Sequence, residues 1–241
     1  MFRYRLSIMA AAAILTAGAS GAFAQNNQGN QPACSLSPVV VSKALGQLAS
    51  VVQLSNGGLF SPNRMWAAVV DRQGVLCSVT RSDPDAWPGS RDIAIAKAFT
   101  ANAFSSHSLA LSTANLYGPT QPGGSLYGLN NSNPFNPSFN AQGTGIGSAV
   151  GGIITFGGGV ALYSNGQVIG GLGVSGDTSC ADHAIAYRMR AQAGGLNGTP
   201  TSDNISYYTG LGAGGLITSP DQVDPSQFKQ PHCLGAADVT P

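Results

Sequence analysis

The chain has 241 residues, of which only 9% are charged, 43% are hydrophobic and 33 are glycine. Its 11 basic residues stand against 10 acidic ones, a formal net charge of +1, so nothing drives it electrostatically toward nucleic acid or anionic membrane. Every acidic residue is aspartate, which excludes any mechanism or metal loop that requires glutamate.

At the N-terminus, Arg3 and Arg5 precede an apolar run from Leu6 to about Ala19, and Ala22-Phe23-Ala24 follows it. This is the pattern of a cleaved export signal. The run is shorter than the roughly 20 residues of a membrane anchor, so no membrane span is expected in the mature form. Cys34 follows polar Gln31-Pro32-Ala33 and is not a lipoprotein cysteine. Cleavage after Ala24 removes two arginines, leaves a net charge of −1, and places the protein in the periplasm or outside the cell. The expected organisation is a signal peptide over 1–24, a flexible segment over 25–36, and one domain over 37–193. That domain contains a long loop insertion at 117–148, and an irregular tail packed on it covers 194–241.

Ser37-Pro38 caps a helix in which Val41, Leu45, Leu48 and Val52 repeat at helical spacing, and Asn56-Gly57-Gly58 stops it. Apolar strands over 65–70 and 75–81, joined by Asp71-Arg72-Gln73-Gly74, form a hairpin. A helix over 91–104 carries a stripe of mostly small residues, Ile93, Ala96, Thr100 and Ala103, suited to close approach to a sheet. A shorter helix is expected over 108–116. The 117–148 stretch is rich in Gly, Asn, Pro and Ser, and reads as a functional loop or a surface excursion. Strands follow at 151–156, 160–163 and 167–174, the last two joined by Ser164-Asn165-Gly166, and a helix spans 179–191. The order suits an α+β fold, an antiparallel sheet of about five strands flanked by helices.

Four cysteines remain after cleavage, and an even count in an exported protein reads as two disulfides with three possible connectivities. The preferred pairing is Cys34–Cys77 and Cys180–Cys233, each tying an irregular terminal segment to the core. No C-x-x-C spacing occurs, which leaves a zinc ribbon, a thioredoxin motif and c-type haem attachment unsupported.

The segment Gly170 to Arg190 is the most informative. A glycine-studded strand runs through Ser175-Gly176 into a helix, and Ser179 with Asp182 has capping-box spacing. Such a turn presents backbone amides and a positive dipole end to an anionic group. Gly171-x-Gly173-x-x-Gly176 matches a dinucleotide fingerprint, but no βαβ unit surrounds it, so no nucleotide cofactor is expected. His183 and His107 are candidate axial ligands of haem iron, or else ordinary polar histidines; Met65 and Met189 belong to the core. Ser175 lacks a nucleophile elbow. Arg81, Arg91 and Lys97 could meet a carboxylate ligand, and Lys97 could instead pair with an aspartate.

Several strings together resemble a known family. These are Val69-Val70-Asp71 with Gly74, Arg81-Ser82-Asp83, Ser90 with Lys97-Ala98-Phe99-Thr100-Ala101, and Gly170 to Gly176 with Asp182. In this order they resemble the GlcG/HbpS haem-binding family, and Trp87 to Arg91, Leu111 to Gly118 and Ser175 to His183 resemble an exported branch of it. The resemblance implies a profilin-like sheet, frequent assembly into a homo-oligomer, and extracytoplasmic haem binding, with haem degradation or protection against oxidants in one branch. The expected site is an apolar slot between the sheet and the 91–104 or 179–191 helix, with His183 or His107 on iron. Arg91, Lys97 or the Gly176 amides would receive propionates, and Arg81, Thr100, Ser175, Thr178 and Asp182 complete the expected ligand-binding residues. The alternatives are an enzyme or binding protein for another small carboxylate, with Arg81 and Lys97 orienting it, and an oligomeric envelope accessory protein.

Overall fold

A computed structural model of the chain describes residues 33–134, 136, 144–203, 206, 207 and 230. The expected signal peptide, most of the 25–36 segment, part of the 117–148 loop and most of the tail lie outside these residues. Four antiparallel strands, β1 (Trp66–Asp71), β2 (Leu76–Arg81), β3 (Gly159–Ser164) and β4 (Gln167–Ser175), form one sheet in the order β2-β1-β4-β3. The helices are α1 (Pro38–Gly46), α2 (Leu48–Val51), α3 (Ser90–Ala103) and α4 (Ser179–Gln192). The fold is therefore α+β. No helix among the described residues is long and apolar enough to cross a membrane.

The β1–β2 turn is organised by Asp71, whose Oδ1 accepts from the amides of Gln73 (3.0 Å) and Val75 (2.9 Å) while Gly74 takes φ +79°. One face of the sheet packs Ala67, Val69, Val160, Leu162, Leu172 and Val174 against α1, α2 and α4. The other packs Trp66, Ala68 and Val70 against α3. The glycines of β4 are needed here. A Cβ on Gly173 would stand 2.0 Å from the Ala94 carbonyl oxygen, and one on Gly171 would stand 2.1 Å from that of Ala98. Helix α3 thus lies on the sheet backbone to backbone, and no slot separates them.

Four expectations need correction. The 151–156 segment is not a strand: Gly151 and Gly152 take φ +74° and +79°, and Ile154 N–H donates to Thr100 Oγ1 (3.0 Å) instead of a sheet partner. The sheet consequently has four strands. No helix forms over 108–116, because Ser112 and Asn115 bond to each other and Thr113 bonds along the edge of β3 at Gly159. The first helix breaks after Gly46 and resumes for one turn as α2. On α3 the sheet-facing stripe is Ala94, Ala98 and Ala101, whereas Ile93 is half-buried and Ala103 exposed. Thr100 and Ala96 are buried too, on the side covered by Ile154 and its neighbours.

Cys34 is joined to Cys77, with Cα atoms 5.2 Å apart, which ties the segment before α1 to β2. Cys180 is also disulfide-bonded, and its partner lies outside the described residues.

Candidate functional site

The start of α4 meets the end of β4 and a run of three glycines, Gly157 to Gly159, that leads into β3. Thr178, not Ser179, is the N-cap, and its hydroxyl accepts from Ala181 N–H at 3.3 Å. Asp182 sits one position too late for a capping box. Its Oδ1 accepts from Asp177 N–H (2.9 Å) and its Oδ2 from Lys97 Nζ (2.6 Å). Lys97 reaches from α3 across the sheet end to this carboxylate. It also donates to the Val174 carbonyl (3.2 Å) and lies 4.6 Å from the centroid of Phe156. The passage exists because side chains are missing along it: a Cβ on Gly158 would stand 2.8 Å from Lys97 Nζ, and one on Gly159 would stand 2.4 Å from the Lys97 carbonyl.

Both charges are fully buried. Burial pushes Asp182 up to about 6 against the pull of Lys97, and burial lowers Lys97 from its ordinary value. Beside them His183 is 1% exposed, and burial lowers it to about 4 against the opposing pull of Asp203, so its imidazole is neutral at pH 7. Its Nδ1 has no hydrogen-bond partner. The same holds for both amide atoms of the buried Gln230 side chain. His183 Cβ and Gln230 Oε1 lie 2.9 Å and 3.1 Å from the point where a Cβ on Gly157 would stand, so the two side chains share one space.

The turn that the sequence marks as an anion receiver is filled by the protein's own carboxylates. Asp177, which sequence reasoning overlooked, accepts from Leu59 N–H (2.7 Å), Phe60 N–H (3.0 Å), Asn63 Nδ2 (3.0 Å) and Thr178 N–H (2.7 Å). Its only advance signal is an acidic residue directly before a helix cap. A Cβ on Gly176 would stand 2.1 Å from the Arg64 carbonyl, and Ser175 is buried opposite Trp66. That corner is solid.

The other expected site residues do not converge. Thr100 donates to the Ala96 carbonyl (2.7 Å) inside its own helix. Arg91 is 3% exposed and donates to the Thr144 carbonyl (2.8 Å). Arg81 is exposed, 5.5 Å over the Trp66 ring. His107 is exposed at the far end of β4, where its Nδ1 accepts from Val168 N–H (3.1 Å). Val168 and Val174 are six strand steps apart, roughly 20 Å, so His107 and His183 belong to different regions. Lys97, paired as it is, has no capacity for a ligand carboxylate.

Among the described residues, two clefts lie elsewhere. One, of about 740 Å³, runs between α1, β2 and the Cys34–Cys77 bridge and has no ionisable side chain in its wall. The other, of about 370 Å³, opens between α4 and the segment that follows it, with Tyr187, Arg190 and Asp203 in its wall. Arg190 forms a buried ion pair with Asp203, donates to the Ala161 carbonyl (3.1 Å) and lies 4.9 Å over the Tyr187 ring. The centroid of Tyr187 is 6.4 Å from that of His183, one turn back on the same helix face. Haem iron takes imidazole or phenol ligands. This face of α4 offers both, the imidazole neutral and its Nδ1 without a hydrogen-bond partner, so the donor set fits that group.

The HbpS-like family, described as haem-degrading proteins, matches residues 60–191, more than half of the chain. The corrinoid adenosyltransferase PduO of Citrobacter freundii is 36% identical over 124 residues. That alignment covers 49% of this chain and 30% of PduO, so the chain spans less than a third of that relative. An uncharacterized 15.0 kDa protein of the same organism is 36% identical over 119 residues, 49% of this chain and 68% of that protein. Among solved structures, a crystal structure of a PduOC:heme complex is 29% identical with a TM-score of 0.50 and covers 67% of this chain and 96% of its own. With its four-stranded sheet, glycine-lined β4 and capped α4 all within the matched residues, the chain belongs to the HbpS-like family.

Proposed function

We propose that the protein binds haem outside the cytoplasm, on the face of α4 that carries His183 and Tyr187. The observation that carries this reading is the state of His183: a buried, neutral imidazole whose Nδ1 has no partner. A buried nitrogen left without a hydrogen bond costs about 1–3 kcal/mol, a cost that a bound metal would remove. Tyr187, in the wall of the adjacent cleft, is the second candidate for iron, and Arg190 stands one turn further. The Gln230 side chain gives way readily, since it loses no hydrogen bond on moving. Family membership and the likeness to a haem complex support the ligand, while the Cys34–Cys77 bridge and the N-terminal export pattern support an oxidising compartment. Bound haem would supply a redox-active iron, the chemistry on which haem breakdown or oxidant removal depends.

The test is an absorption titration of the mature protein with haemin. A saturable shift of the Soret band is expected, abolished or displaced in wavelength by His183→Ala or Tyr187→Phe and unchanged by His107→Ala. Equal titrations for all four proteins would remove α4 from consideration, and no shift in the parent would remove haem.

A further inference from the structure

We infer that Cys34, Cys77 and Asp71 form a redox-gated zinc site, closed while the cysteines are bridged and opened when a thiol reduces them. Both sulfurs and a carboxylate oxygen of Asp71 lie within 4.8 Å of one another. Sequence spacing hides the group, because its members come from the segment before α1, the end of β1 and the interior of β2. Two thiolates and a carboxylate are donors that zinc takes, at about 2.0–2.3 Å each, which sets neighbouring donors roughly 3.5–3.8 Å apart. Once the bridge is open, side-chain rotation on Cα atoms 5.2 Å apart lets the sulfurs spread to that separation.

The carboxylate is already fixed. Asp71 is fully buried, and besides the turn amides on Oδ1 it accepts at Oδ2 from Ser35 N–H (2.7 Å) and Ser35 Oγ (3.0 Å). Three of these four donors are backbone amides. The fourth, the Ser35 hydroxyl, can rotate away and yield a lone pair of Oδ2 to a cation. The bridge is also within reach, since Cys34 and Cys77 are half-buried in the wall of the cleft of about 740 Å³ between α1 and β2. A thiol entering there attacks one sulfur, forms a mixed disulfide and releases the other as thiolate, and a second thiol then frees the first. In sum, two reductant thiols become one disulfide, and Cys34 and Cys77 become two thiols. Zinc binding then releases their two protons. Three protein ligands leave a fourth position for water or a guest in the cleft, as in zinc sites that perform chemistry. The inference is independent of the haem reading.

Cobalt reports such a site through thiolate-to-metal charge-transfer absorption. The mature, haem-free protein is reduced with a phosphine, desalted under nitrogen and titrated with Co²⁺, with Zn²⁺ added afterwards as competitor. The reduced wild type is expected to develop the absorption up to one equivalent and to lose it to Zn²⁺, while the oxidised protein shows none. Cys34→Ser and Cys77→Ser should each abolish it, although both retain the thiol released at Cys180. Asp71→Asn should weaken Co²⁺ binding about 10-fold or more, and Ser35→Ala, which clears the competing hydroxyl, should tighten it. Circular dichroism follows the fold throughout. A reduced wild type without the absorption overturns the inference, and so does one that unfolds on reduction, because its donors no longer converge. Absorption in the oxidised protein, or absorption that survives in Cys34→Ser, belongs to other donors and refutes the site. An Asp71→Asn titration equal to wild type removes the carboxylate. Should that variant not fold, an unchanged affinity in Ser35→Ala does the same.

Discussion

Replacing His183 with leucine should change the way stability depends on pH, and the size of the change follows from two buried neighbours. Folding lowers His183 from 6.5 to about 4 and raises Asp182 from 3.8 to about 6. Between those limits, unfolding takes up a proton at residue 183 and releases one at residue 182. The stability contributed by His183 is present above pH 6.5 and is lost as the pH falls through the folded value. The stability contributed by Asp182 is present below pH 3.8 and is lost as the pH rises through about 6. Each changes by about 1.4 kcal/mol per pH unit, in opposite directions, so the pair together is nearly flat across the window. His183→Leu removes one half of the balance. Urea unfolding from about pH 4 to about pH 7.5, with linear extrapolation for wild type and variant, gives a difference profile in which the other carboxylates cancel. Wild type should lose about 3 kcal/mol relative to His183→Leu between pH 6.5 and pH 4. A difference that does not vary with pH would show that His183 protonates freely in the folded protein, and the enclosed imidazole would have to be abandoned.

Lys97→Met leaves Asp182 enclosed without its cation and should cost about 3–5 kcal/mol in urea unfolding, whereas Lys97→Met with Asp182→Leu should recover most of that. Gly173→Ala forces a methyl to 2.0 Å from a helix carbonyl and should cost about 3 kcal/mol or more by lifting α3 from the sheet. Gly46→Ala, with nothing within 4 Å of its Cβ, should leave stability unchanged or raise it by up to about 1 kcal/mol in the same assay.

The hairpin and the two long helices were legible because local signals agreed with the tertiary outcome. Trp66 to Asp71 is an apolar run ending in an aspartate-led turn, and α3 and α4 begin within a residue of their expected starts. The failures fall where local composition was outvoted. Gly-Gly-Ile-Ile-Thr-Phe at 151–156 has a β-like composition, yet two left-handed glycines turn it away and a threonine on α3 takes one of its amides. The 108–116 segment has the length of a short helix, but its serine, threonine and asparagine side chains bond the backbone in place of helical carbonyls.

The site was legible in its parts and not in their arrangement. Lys97, Asp182 and His183 were all singled out, but the pairing of Lys97 with Asp182 spans 85 residues of sequence and depends on two absent side chains at Gly158 and Gly159. A glycine run of that kind permits a close approach without saying what approaches. The helix start is anion-ready by its geometry, and the chain answers that potential with Asp177 and Asp182 before any ligand can. Once that corner is closed from within, the unanswered groups of the same helix lie further along it, at His183 and around Tyr187. A guest at α4 therefore has to meet the helix from its side, across the face where the Gln230 side chain rests without a hydrogen bond. Entry through its N-terminus is blocked.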